Sequence, residues 1–95
     1  MSGTSRSTPR HQRSPGVLER TLLDGVLVLA PDHPPALALL GTGLAIWRAL
    51  DEPTDEASLV RTLRVQFDDP GGSLADDVHR TLHHLVERGL VTQHP

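Results

Sequence analysis

The spacing of apolar residues divides residues 17–92 into a strand-rich first half and a helical second half. Val17 to Leu23 sets Leu18, Arg20 and Leu22 against Glu19, Thr21 and Leu23, the two-residue period of a strand. Asp24-Gly25 follows, a pair suited to a type I′ hairpin turn, in which both central positions need positive φ. Val26 to Ala30 is an almost wholly apolar second strand, Pro31-Asp32-His33-Pro34 a rigid turn, and Pro35 to Leu40 a third strand. Alanine and leucine are weak strand formers, so a helix entered at the two prolines is the competing assignment; the hairpin context selects the strand.

Gly41-Thr42-Gly43 breaks the alternation. Thr42 is the expected N-cap of a helix ending at Leu50, with Leu44 and Trp47 turned inward, and Pro53 forbids its continuation. Thr54 is the expected cap of a second helix, with Asp55 and Glu56 in its first turn and Leu59, Val60, Leu63 and Phe67 on its apolar face. After a loop, Ser73 and Asp76 form a capping box for a third helix with an inner stripe of Leu74, Val78, Leu82, Leu85 and Val86. Gly89 stops it, and Leu90-Val91-Thr92 returns as a short strand. The predicted class is α+β and winged-helix-like: a three-stranded antiparallel meander, three helices and a short terminal strand. A meander of this kind leaves one sheet edge open, and an open edge beside an apolar groove accepts an extended peptide.

Composition changes the picture at the N-terminus. Residues 1–16 hold Ser2, Ser5, Ser7, Ser14, Pro9, Pro15, Arg6, Arg10 and Arg13, with no large apolar residue after Met1. That composition predicts a disordered basic tail, with the domain spanning residues 17–95. The segment lacks the apolar run of a signal peptide and no stretch is long enough to span a bilayer, which leads to the expectation of a cytoplasmic protein without membrane contact. All twelve acidic residues follow residue 16 and face six arginines there, so the domain carries −6 and the tail +3. Such an acidic domain argues against a nucleic-acid partner, because phosphate binding uses a basic surface.

Side-chain chemistry narrows the choice further. The chain has no cysteine, lysine or tyrosine, which excludes disulfides, thiolate sites, Schiff bases and phenolic acids. His79 and His83 stand four residues apart, with Asp76 one turn earlier, a spacing able to hold zinc on a helix; exposed helical histidine pairs are usually incidental, and no metal or other cofactor is expected. No nucleophile–base–orienter set is visible, so no catalysis is expected. A winged-helix DNA-binding regulator is the alternative reading, weakened by Asp76, Asp77 and Glu87 on the third helix beside Arg80 and Arg88.

The stretch Leu44-Ala45-Ile46-Trp47-Arg48-Ala49-Leu50-Asp51 resembles the A-x-I-W-x-L-L-D segment of PqqD-like proteins. The series Thr54, Leu59, Val60, Leu63, Phe67 is similar too, as is the ending Asp76-Asp77-Val78, Leu82, Leu85, Gly89-Leu90. The resemblance spans residues 17 to 92. It departs from the family at the third strand, where an aromatic-rich segment ending in Leu-Asn is replaced by Ala36 to Leu40 and Gly41. The resemblance implies a non-catalytic recognition element for ribosomally made, modified peptides. It would bind the leader of a precursor peptide as an antiparallel strand on the third strand, against the third helix. It would then present the core to a modifying enzyme such as a peptidase, cyclase or radical enzyme. On that reading the main chain of Leu37, Ala38, Leu39 and Leu40 forms one wall. With Val78 at the centre of the buried stripe, a 100° turn per residue puts Asp77, Thr81, His84 and Arg88 on one flank as the other wall. The same open edge would permit a strand-paired homodimer.

Overall fold

The computed structural model describes residues 9–69 and 71–94. In chain order the elements are β1 (Arg10–Arg13), β2 (Leu18–Thr21), β3 (Gly25–Leu29), β4 (Leu37–Leu40), α1 (Gly41–Ala49), β5 (Thr54–Asp55), α2 (Glu56–Gln66), α3 (Leu74–Glu87) and β6 (Val91–His94). The expected meander is present as the antiparallel sheet β2-β3-β4. A second antiparallel sheet, β5-β1-β6, has β1 at its centre.

That second sheet corrects the reading of Arg10–Arg13 as part of a tail. Residues 1–8 lie outside the described residues. Arg10 to Arg13, however, pair with His94 to Val91 on one side, while Arg10 and His11 pair with Asp55 and Thr54 on the other. A polar segment of four residues holds its place here because both of its edges are hydrogen-bonded, a non-local source of order that composition does not register.

Trp47, Ile46 and Leu50 of the α1 region meet Leu59 and Leu63 of α2, and Val78, Leu82 and Leu85 of α3, in one core. Val26, Val28 and Leu39 close it from the sheet, and Leu90 and Val91 from the C-terminal end. Burying an aliphatic side chain of this size contributes about 1.5–3 kcal/mol before entropy is counted. The α3 stripe is as expected from its spacing, with Leu74, Val78, Leu82 and Leu85 buried and Val86 half-buried.

Four local expectations change. The β2–β3 turn is centred on Leu23-Asp24: the Leu22 N–H donates to the Gly25 carbonyl at 2.9 Å, and among the described residues only glycines have positive φ, Gly25 not among them. A type I′ turn on Asp24-Gly25 is therefore absent. Gly25 is instead needed in the strand, where a Cβ would fall on the Leu39 carbonyl oxygen and Leu40 Cδ2. Helix α1 begins at Gly41 without a side-chain cap, so Thr42 lies inside it. Asp55 caps α2 in place of Thr54, its Oδ1 accepting from the Ser58 N–H at 2.7 Å. Ser73 is the N-cap of α3 but makes no capping bond; Asp69 Oδ1 accepts from the Leu74 N–H at 3.1 Å instead.

The end of α3 follows the expected stop. Gly89 has φ +71, the Gly89 N–H donates to Val86 and the Leu90 N–H to Leu85. This pair of bonds is a Schellman motif, and it aims Leu90 back into the core beside Leu85.

Candidate functional site

The geometry of the candidate site follows from the ladder of the β2-β3-β4 sheet. In antiparallel pairs, successive residues turn their amide groups alternately toward one neighbour and the other. The Leu22–Gly25 bond fixes the phase: Thr21 and Val26 are opposite one another without exchanging bonds, so the Val26 amide turns to β4. Val26 stands opposite Leu39 and Val28 opposite Leu37. Leu37 and Leu39 thus spend their main-chain groups on β3. Ala38, and the N–H of Leu40, point to the outer side.

On that outer side β4 has no strand neighbour among the described residues. The side chains alternate as well. Leu39 is buried and Leu37 half-buried against the core, while Ala38 and Leu40 are exposed on the opposite face, Leu40 at 49%. Together with Leu18, which is 65% exposed, and Leu27 and Leu29, they give the sheet an apolar outer surface.

The four α3 residues occupy one flank of the helix in the manner the 100° rule requires. Asp77, Thr81 and Arg88 are half-buried and His84 is exposed. Arg88 is the one whose contact reaches the start of β4: its Nη2 donates to the Pro35 carbonyl. Asp77 is engaged within the helix, its Oδ1 accepting from Arg80 Nη2 at 2.9 Å. The described polar contacts tie neither the Thr81 nor the His84 side chain to β4. The close approach of α3's end to the β3–β4 loop is enforced at Gly89, where a Cβ would lie 2.5 Å from the His33 ring.

The spacing of His79 and His83 leads elsewhere. His79 Nδ1 lies 3.2 Å from both carboxylate oxygens of Glu56, and His83 Nε2 lies 3.5 Å from Glu87 Oε2. Among the described residues no set of three histidine or acidic side chains is placed to hold a metal ion. Among the same residues no helix is long and apolar enough to cross a membrane.

Two side chains with long-range contacts escape the sequence reading, both in β1. Arg13 stacks its guanidinium 4.6 Å from the centroid of the Trp47 ring, and its Nε and Nη2 donate to the Trp47 carbonyl at 3.0 and 2.6 Å. Trp47 Nε1 in turn donates to Glu19 Oε1 at 2.9 Å. Arg13 therefore caps the C-terminus of α1 from 34 residues away and links it to β2. His11 is 6% exposed, with its pKa pushed below the usual histidine value by burial, against the opposing effects of Glu56 and the Thr54 backbone; nearby His79 lowers it further. Asp55 is held below the usual carboxylate range by the Ser58 N–H and hydroxyl. Nothing in the local pattern Arg10-His11-Gln12-Arg13 marks these roles.

Comparison with known proteins places this architecture. No curated protein matches the sequence. A solved structure, "TbiB1 in Complex with the TbiA(beta) Leader Peptide", superposes with a TM-score of 0.73 at 20% identity, over 84% of this chain and 93% of that one. At that identity the likeness is one of fold. The model of the family "Coenzyme PQQ synthesis protein D (PqqD)" matches residues 25–91, from the first residue of β3 to the first of β6. That match covers well over half of the sequence, and with the observed order of strands and helices it identifies the chain as a member of the PqqD family.

Proposed function

We propose that this protein is a non-catalytic recognition module that captures the leader segment of a ribosomally made precursor peptide and presents it to a modifying enzyme. The observation that carries the reading is the outer edge of β4, without a strand neighbour among the described residues, in a PqqD-family fold. Its support from outside the chain is that the structurally similar TbiB1 is a leader-peptide complex.

The guest strand would run antiparallel to β4. Its amides would exchange hydrogen bonds with Ala38 and with the Leu40 N–H, while Leu37 and Leu39 hold the edge in place through β3. Alternate side chains of the guest would face α3, where Asp77, Thr81, His84 and Arg88 offer an acid, a hydroxyl, an imidazole and a guanidinium. The others would continue the exposed apolar surface of Ala38 and Leu40. The small side chain of Ala38 and the absence of aromatics along β4 put the affinity in the main chain and the choice of guest in the helix flank.

The test is titration with candidate leader peptides, read by calorimetry, on the parent chain and two proline variants. Ala38→Pro removes an outward N–H and leaves the β3 ladder intact, so the folded variant should lose binding at least tenfold. Leu39→Pro removes a ladder bond and should destabilise the sheet. Full leader affinity in folded Ala38→Pro would refute the edge as the site. Retardation of duplex DNA at low salt, with no leader binding, would favour a DNA-binding role instead.

A further inference from the structure

Strand addition has a direction, and the two ends of the β4 edge differ in charge. At the start of β4 the end of α3 is close by: Arg88 Nη2 donates to the Pro35 carbonyl, and Gly89 lies against the His33 ring. A guest antiparallel to β4 begins opposite Leu40 and ends toward Pro35. Its C-terminal part therefore arrives at Arg88. Asp77 sits about 16 Å further back along the helix, at 1.5 Å per residue.

The charged groups on this flank differ in what they have left to give. Asp77 is paired with Arg80 at 2.9 Å. Arg88 gives one N–H to a neutral carbonyl and takes part in none of the ion pairs among the described residues. An arginine has five N–H donors, so Arg88 keeps donors and its whole charge at a half-exposed position. Strand β4, Leu-Ala-Leu-Leu, brings no charge of its own. In a chain of net charge −3, the unpaired charge at this end of the edge is positive.

Register places the complementary group. Residues opposite one another in an antiparallel pair point to the same face. Leu37 and Leu39 turn to the core side and Ala38 to the outer face. The guest residues opposite Leu39, Leu37 and Pro35, two apart in its sequence, thus share the side on which α3 lies. The last two of them come to the Arg88 end.

We propose that the preferred guest carries an aspartate or glutamate two or four residues C-terminal to the residue opposite Leu39, its carboxylate accepting from the Arg88 guanidinium. The proposal rests on the reading of β4 as the docking edge and adds which guests that edge selects. A lysine or arginine at the same place would meet like charge, and a neutral residue would leave the free donors of Arg88 to water. At a rim position the charge decides the choice among guests more than the strength of binding.

The experiment pans random dodecapeptides, their C-termini fused to a display carrier, against the full chain. Synthetic copies of the retained peptides are then sorted by whether they slow exchange of the Ala38 and Leu40 amides. Among those that do, Asp and Glu should be enriched at least threefold over the library at one position in the C-terminal half. Cross-strand proton contacts should put that position two or four residues after the residue opposite Leu39. In the tightest such peptide, replacing the acid by its amide should weaken binding at least threefold on the parent chain and hardly at all on Arg88→Gln. Edge-binding peptides without acidic enrichment there overturn this inference and leave the docking edge standing. So does an acid whose replacement costs as much on folded Arg88→Gln as on the parent. If no retained peptide protects Ala38 and Leu40, the docking edge falls and this inference with it. The enrichment is read on the unaltered chain, so the test holds whether or not the variant folds.

Discussion

Truncation of Arg13 to alanine should destabilise the protein by about 2–3 kcal/mol, far beyond what a surface arginine normally contributes. The figure comes from the contacts. Two N–H groups of a charged side chain meet the Trp47 carbonyl at 3.0 and 2.6 Å, and hydrogen bonds to charged groups contribute roughly 1.5–3 kcal/mol. The stacking on the Trp47 ring adds about 0.5–1 kcal/mol at a partly exposed position. The longer ion pairs, 3.7 Å to Glu19 and 3.8 Å to Asp51, add little, because Asp51 in particular is open to solvent. The carbonyl left behind, in the last turn of α1, would keep only the Leu50 N–H at 3.2 Å as a donor. Urea denaturation is the assay. With a slope of about 1–1.5 kcal/mol per molar, the midpoint should fall by roughly 2 M. Arg13→Lys keeps the charge but not the fork, and should recover less than half of the loss. A change below about 0.5 kcal/mol for Arg13→Ala, within the range of ordinary surface substitutions, would show that β1 does not tie the two sheets together through Trp47.

Two further outcomes follow from the same geometry. Gly25→Ala would drive a Cβ into the Leu39 carbonyl, so overpacking should cost about 1–3 kcal/mol and displace β4; a thermal midpoint equal to the parent's would show that β3 and β4 are not so closely apposed. Stability should fall on acidification, because His11, facing Glu56 and His79, has a folded-state pKa below its unfolded value of about 6.5. The unfolded chain binds the extra proton, so the contribution is full above about pH 6.5 and is lost as the pH drops through the folded value. His11→Leu should flatten that part of the profile in urea titrations between about pH 7 and pH 5, and an unchanged slope would contradict the assignment.

How much of this is legible in the sequence depends on how local each cause is. The α3 stripe and the Gly89 stop are readable because helical period and a left-handed C-terminal residue are written within a few positions. Strand β4 is readable only through its hairpin setting, since Leu37-Ala38-Leu39-Leu40 has no strand propensity of its own. The caps of α1 and α2 differ from the expected ones, because the chain offers rival candidates close by (Thr42 near Leu40, Thr54 beside Asp55) and tertiary contacts decide. Strand β1 is invisible. Its order rests on partners in distant parts of the chain, Thr54 and Asp55 on one side and Val91 to His94 on the other, and Arg10-His11-Gln12-Arg13 carries no apolar alternation to announce them. In the candidate site, the position of β4 and the flank of α3 come from pattern and family resemblance. Which β4 amides face outward does not, because that phase is set by the Leu22–Gly25 bond, and the expected Asp24-Gly25 turn would have shifted it.

Residue-resolved amide hydrogen exchange tests the central claim most directly. In the free protein the Leu37 and Leu39 amides should be protected by β3, and the Ala38 and Leu40 amides should exchange rapidly. Saturating leader peptide should slow Ala38 and Leu40 at least tenfold while leaving Leu37 and Leu39 little changed. Protection of Ala38 in the free chain, or rapid exchange there with leader bound, would contradict strand addition at this edge.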